Sequence, residues 1–569
     1  MYLLISEFKR LTRNKERKSV LNAYILTALF FGTIFSIVNT APVYAQGRPL
    51  FNQNAINTYY EQRSSEPFWI TGRKLNPVGK ALWRALSQSW EHGLNPNTYY
   101  AKEIAFILSQ SAYQKGMDPD LALKLELILT SGYVLYARDL SGMRVNARNL
   151  GLDARDWKQR VSVYETLSLL PHNLKNMDAF LKGLGPQTAT YQHLKREMRR
   201  IVVQSDKIAK GVLGEIKTVH LKYTNVIRPS DEHGDIPDIR TILGTKETYE
   251  GLRYTYDTAL VRAVKEFQKA NNLAADGIIG KRTIAALNRN NGDKLHKIIV
   301  NMERLRWISN EKPERFIVVN IPSERLWAVD SGKVRFTMPV VVGRPQRPTA
   351  SFVTKIHGVR LNPTWTVPET IKKEDIWPHL RKDPNYLSDK GMELMDGYGT
   401  DAVTLDPSAI NWPDISESEL LAFNMVQIPG SHNPLGRIRI LMPNAHDIYL
   451  HDTNDKSVFS SSERAVSSGC VRMGYPEKVA LFALENNRGW KGREDMNAIL
   501  ETNRTKDIYA NDRVTVYLLY YTLWLGPKRQ IIYGKDIYGR DEFLWDELKK
   551  LDGIPKLGDN ISRLSTSLE

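Results

Sequence analysis

The sequence predicts a multidomain α+β protein, and three changes of pattern along its 569 residues carry that reading. Residues 46–227 hold long apolar–polar periods with few breakers, the mark of helices. Residues 228–290 hold two short helical patterns folded about turn residues. Residues 315–545 switch to the period-two alternation of strands, interrupted by a polar stretch at 370–423 that reads as helical. The composition, 42% hydrophobic, 25% charged and 9% aromatic, excludes a disordered chain and a multi-span membrane protein.

In the first region, Leu121 to Ala137 and Ala179 to Ala209 carry the helical period. Leu94-Asn95-Pro96-Asn97 and Gly183-Leu184-Gly185-Pro186 mark loops. No catalytic signature occurs there, and the region reads as a helical scaffold. In the second region Leu260, Ala263, Val264 and Phe267 fall on one helical face. The turn Asp276-Gly277 follows, and Thr283 is suited to cap a second helix. Residues 291–314 read as a linker returning to the scaffold, and 546–569 as a tail.

In the third region Phe316 to Pro322 and Arg325 to Val329 flank the turn Ser323-Glu324, and Phe336 to Gly343 continues the sheet. An insertion of about fifty residues between strands is longer than ordinary connections, and 370–423 is expected to be a helical lid over a site. Pro476 to Leu484 reads as a helix with proline in its first turn. Arg513 to Leu525 and Ile531 to Tyr538 are β-rich runs that close the domain.

The formal charge is +16, which suits either nucleic acid or an anionic surface. Six basic residues, against two acidic ones, lie in the first twenty positions. Val20 to Val38 is then uncharged and mostly apolar, and small residues precede Gln46. Residues 1–45 therefore read as an export signal or an uncleaved membrane anchor. Either places the bulk of the chain outside the cytoplasm, in the periplasm, which disfavours nucleic acid as partner and favours an acidic envelope polymer.

The chain has one cysteine, Cys470, in Ser467-Ser468-Gly469-Cys470-Val471-Arg472. In an exported protein a lone thiol is buried and inert, bridged to another chain, or reactive. His451 lies nineteen positions upstream in Tyr449-Leu450-His451-Asp452-Thr453. Strand alternation puts Tyr449 and His451 on one face, with Ile448 and Leu450 on the other. Ser468-Gly469 permits a tight turn that aims the Gly469 and Cys470 N–H groups at one point, as a tetrahedral acyl intermediate requires. No His/Cys/Asp set has zinc spacing and no GxGxxG or P-loop occurs, so neither metal nor nucleotide cofactor is expected.

Two resemblances follow from these residues. Phe267-Gln268, Asp276 to Gly280, Thr283 and Ala286-Leu287-Asn288 resemble the small three-helix peptidoglycan-binding domain found beside wall enzymes. His451-Asp452-Thr453 with Ser467 to Arg472 resembles the signature of the L,D-transpeptidases of the bacterial cell wall, whose catalytic domain is mainly β and YkuD-like. Val341 to Pro345, Arg347-Pro348-Thr349, Asn362 to Trp365, Pro429-Gly430 and Asn433 to Gly436 extend the likeness over about 315–540. Ser468 replaces the histidine common before the Gly-Cys pair, as in larger Gram-negative members with a separate scaffold domain.

The resemblance implies that Cys470 attacks a tetrapeptide stem and releases D-alanine, that His451 moves the proton, and that a diaminopimelate amine resolves the thioester into a 3→3 crosslink. A backbone carbonyl just after the histidine is the favoured orienter of His451, ahead of the Asp452 carboxylate. Tyr449 is expected near the oxyanion or in packing, Arg472 on a stem carboxylate or in an ion pair, and Trp365 in the donor groove or a core. Gly469 and Ser468 complete the substrate-binding set. The partners implied are peptidoglycan stems and, at the membrane, peptidoglycan synthases. A same-fold hydrolase and an inert wall-binding scaffold are the alternatives.

Overall fold

The computed structural model describes residues 44–551, apart from 46–47, 64–65, 112–115, 210–220, 222–224, 246–250, 289–290, 310–312 and 398–401. The expected signal or anchor lies outside the described residues except for Tyr44 and Ala45. Among the described residues no helix is long and apolar enough to cross a membrane. The chain forms two compact units. One takes the chain up to His220, Arg289–Asn310 and the chain from Glu542; the other takes Leu221–Asn288 and Glu311–Asp541.

The first unit is helical and is organised round the helix Pro119–Ser141, which Asp118 caps by accepting from the amides of Asp120 and Leu121. This helix is apolar on most sides because it is central, and Leu125, Ile128, Tyr133 and Val134 are fully buried. Of its two buried carboxylates, Glu126 and Asp139, the first accepts from Tyr60 Oη at 2.6 Å and from the Phe68 and Trp69 amides. The helical stretch 179–209 is two helices, Met177–Gly183 and Ala189–Ala209, parted at the expected loop Gly183 to Pro186. The expected C-terminal tail is partly the helix Arg540–Lys549. Its Trp545 stacks on His296 at 4.1 Å, and Glu547 accepts from Asn149 at 2.7 Å.

In the second unit, the helices Ile236–Leu243, Thr258–Ala270 and Lys281–Leu287 form the small module. Leu260 and Val264 are its core, and Gln268 is its polar tie. The Gln268 amide donates to Ile278 O at 2.9 Å and Asp276 Oδ1 at 3.1 Å, and its Oε1 accepts from Gly277 N at 2.9 Å. Gly277 sits at φ +80°, so the Asp-Gly pair makes a turn that a side chain would strain. Thr283 is not a cap. The helix starts at Lys281 after Gly280, and Thr283 lies buried inside it, its hydroxyl facing Ile278 O at 3.3 Å.

The remaining part is mainly β. Its strands are β1 (Arg315–Asn320), β2 (Arg325–Asp330), β3 (Lys333–Gly343), β4 (Phe352–Lys355) and β5 (Gly358–Leu361), then β6 (Trp365–Thr366). There follow β7 (Met392–Asp396), β8 (Val403–Leu405), β9 (Asn424–Gln427), β10 (Ile438–Leu441) and β11 (Leu450–His451). β12 (Ala465–Ser467), β13 (Val471–Met473), β14 (Lys506–Tyr509) and β15 (Thr515–Leu519) complete the set considered. Eleven of them share one sheet in the order β14-β5-β10-β11-β13-β3-β2-β1-β15-β4, with β12 beside β3. The long β3 belongs to both halves: its first part pairs with β2 and its end with β13. The sheet curls about that strand over one core, in which Val319, Leu326, Val340, Ile440, Leu450 and Val471 are fully buried.

The insertion corrects the expectation of a helical lid. It is helical over Glu369–Ile371 to Tyr386–Asp389, but β7, β8 and β9 then join β6 in a four-stranded sheet. Val367, Leu380, Leu394, Trp412 and Met425 give it a core of its own. The polar composition concealed this, since a small subdomain keeps most of its surface wet.

Candidate active site

The site lies where β11 and β13 run side by side. They are parallel, with Leu450 opposite Val471 and His451 opposite Arg472, and Val471 N donates to Tyr449 O at 3.0 Å. Leu450 and Val471 point into the core. Alternation therefore sends Tyr449, His451, Cys470 and Arg472 together to the other face. The Tyr449 and His451 rings meet edge-on at 5.6 Å, as the strand period implies.

The turn before Cys470 is held from both sides. Gly469 adopts φ +119°, which a residue with a side chain rarely adopts. Ser467 Oγ donates to Cys470 O at 2.7 Å, and Thr349 Oγ1 donates to Gly469 O at 2.7 Å while accepting from Gly343 N. Ser467 Oγ also accepts from Gly469 N at 3.2 Å. That last contact corrects the expected oxyanion pair: the Gly469 amide is committed to the turn, which leaves the Cys470 amide of the two.

Cys470 is half-buried and free. Its thiol donates to Asp447 O at 3.8 Å, and the Tyr449 hydroxyl is within hydrogen-bonding reach of the sulfur. Burial pushes the thiol pKa up; Tyr449 and the Arg439 guanidinium pull it back. His451 is 5% exposed, and its buried Nδ1 has no hydrogen-bond partner among the described residues. Burial, then the Arg472, Arg439 and Lys456 cations, push its pKa down to about 3, against the pull of the Asp452 main chain. The pair is thus a thiol and a neutral imidazole, with no ion pair preformed. The Asp452 carboxylate is spent elsewhere: it accepts from Arg437 N at 2.9 Å, Thr453 N at 2.7 Å and Lys456 Nζ.

The other expected residues fall differently. Ser468 is exposed, and its hydroxyl accepts from Arg347 Nη1 at 3.1 Å. Arg347, named in the sequence without a role, also binds Asp375 at 2.8 Å and Glu374, both in the insertion. Trp365 pairs with Gln427 and packs on the insertion core. Arg439 had no signal in the sequence beyond strand alternation, because its neighbourhood depends on β10 pairing with β11.

One face of the curled β domain thus gathers a thiol, an imidazole, a phenol and guanidinium groups, in a chain that also folds a small helical module and a separate helical unit. Residues 314–489 match the L,D-transpeptidase catalytic domain (YkuD), 54–198 a "Scaffold domain" and 249–287 a "Putative peptidoglycan binding domain". A protein of Haemophilus influenzae named "Putative L,D-transpeptidase" is 32% identical over 260 residues, 45% of this chain and 51% of that protein. The chain spans about half the length of that relative. Among solved structures, an L,D-transpeptidase from Mycobacterium smegmatis aligns at 13% identity over 36% of this chain and 58% of its own, TM-score 0.17. One from Stackebrandtia nassauensis aligns at 14% over 52% and 97%, TM-score 0.18.

Proposed function

We propose that the protein is a peptidoglycan L,D-transpeptidase of the periplasm that forms 3→3 diaminopimelate–diaminopimelate crosslinks through a Cys470 thioester. The observation that supports this most is the meeting of Cys470, Tyr449 and His451 on one face, within a domain matched to that family. The module at 249–287 supports a wall polymer as the substrate.

In this reading the Cys470 sulfur attacks the carbonyl between the third and fourth residues of a donor tetrapeptide. Its proton passes to neutral His451, and the oxygen that gains charge is met by the Cys470 amide and the Tyr449 hydroxyl. The carbon–nitrogen bond then breaks; His451 protonates the leaving amine, and D-alanine departs. The side-chain amine of an acceptor diaminopimelate attacks the thioester, losing its proton to His451, and the thiol reforms. Arg472, beside His451, is assigned to a stem carboxylate.

The test is the full chain with tetrapeptide stems, read by mass spectrometry. A crosslinked dimer and free D-alanine are expected, both lost in Cys470→Ala, as is the covalent adduct of a carbapenem. Tripeptide without dimer would make the enzyme a hydrolase; no product and no adduct would leave a wall-binding scaffold.

A further inference from the structure

A row of charges crosses the sheet beside the site. Through paired registers, Asp507 lies opposite Arg360, Arg360 opposite Arg439, Arg439 opposite His451 and His451 opposite Arg472. Residues directly opposite share a face, about 5 Å apart at Cα. Two arginines directly opposite each other repel, so the pair Arg360–Arg439 needs an anion. Arg360 has one: it holds both oxygens of Asp507, at 2.6 and 2.7 Å. Arg439 does not share it. Among the described residues it forms no ion pair, its Nε is buried with no hydrogen-bond partner, and its guanidinium lies over the Tyr449 ring at 4.0 Å. A half-buried guanidinium with an orphaned donor is a standing cost, which a bound carboxylate would remove.

We propose that Arg439 binds the C-terminal carboxylate of the donor stem, the one on the residue that leaves. The assignment rests on the transpeptidase reading above and on covalent reach. In an α-amino acid one carbon separates the amine from the carboxyl carbon. The receptor for that carboxylate must therefore sit next to the group that protonates the departing amine. Arg439 is the residue opposite His451 on the β10 side, and the Tyr449 ring under its guanidinium holds it there. Its field also bears on the reacting sulfur, favouring the thiolate. Arg439 is a specificity residue in this account: it selects a free carboxylate at the scissile end, so a stem ending in an amide loses the contact.

The experiment measures binding of a tetrapeptide stem and of its C-terminal carboxamide to the full chain carrying Cys470→Ala, with and without Arg439→Gln and Arg439→Lys. Loss of one charge-assisted contact predicts binding weakened about 10- to 100-fold for the acid stem in Arg439→Gln. The carboxamide is expected to bind the parent as weakly, with no further loss in Arg439→Gln, and Arg439→Lys to recover most of the acid preference. Equal binding of acid and carboxamide to the parent overturns the proposal, and that comparison needs no substitution at 439. Equal loss of both ligands in Arg439→Gln overturns it too. Turnover by the chain with Cys470 intact is read in parallel. No transfer with an Arg439-dependent acid preference sinks the transpeptidase reading alone; transfer without that preference sinks the Arg439 assignment alone.

Discussion

At the scale of single residues, the site runs on neutral partners. Burial and three nearby cations keep the His451 ring uncharged down to about pH 3. In the proposed mechanism the ring is therefore unprotonated and free to accept at neutral pH, and because it is a weak base the transfer relies on charge that develops as the thiol attacks. For kcat/KM on a soluble donor this predicts no acid limb near pH 6.5, the value of a free imidazole; the profile should stay level between pH 5 and 7. A fall centred near 6.5 would show a solvated ring and contradict the structure. The same burial has a stability consequence. The unfolded chain protonates this histidine near 6.5 and the folded chain only near 3. Its contribution is present above 6.5 and is lost as pH falls through that window, by at most about 1.4 kcal/mol per pH unit. His451→Asn should lose less melting temperature than the parent between pH 7 and 5, while its turnover falls by orders of magnitude.

Among the elements, the insertion and the turn before Cys470 share one cation. The Arg347 side chain is 11% exposed and contacts Asp375, Glu374 and Ser468 at once. Arg347→Ala should speed amide hydrogen exchange several-fold in residues 369–376 and in the turn 467–470 together. Faster exchange in only one of the two would mean that Arg347 does not couple them. The helical module depends on Gln268 in a comparable way. Gln268→Ala removes contacts to Asp276, Gly277 and Ile278 and leaves buried groups unpaired, a loss of about 2–3 kcal/mol. Thermal unfolding should show it in the module's transition.

For the whole molecule, the module and the catalytic domain belong to one compact unit, and Arg282 of the module pairs with Glu463 on the chain between His451 and Cys470 at 2.8 Å. Both partners are more than half exposed, so the pair contributes little to stability. Removing residues 230–288 is therefore expected to weaken sacculus binding more than turnover of soluble stems. Equal loss of both would make the module a structural part of the catalytic domain.

Local chemistry made much of this legible in the chain itself. Alternation about Leu450 puts Tyr449 and His451 on one face, because period two holds whatever the partner strands are, while bringing Cys470 and Arg472 to that face took the pairing of β11 with β13. The Asp276-Gly277 turn and the break at Gly183 to Pro186 are likewise properties of their own residues. What needed the tertiary fold depends on pairings between distant segments. β10 beside β11 brings Arg439 to His451, Ser467 occupies the Gly469 amide, and β6 to β9 turn an apparent helical lid into a subdomain with its own sheet. A side chain's face follows from nearest-neighbour geometry, whereas the charge it meets across a sheet is set by a register that no local pattern encodes.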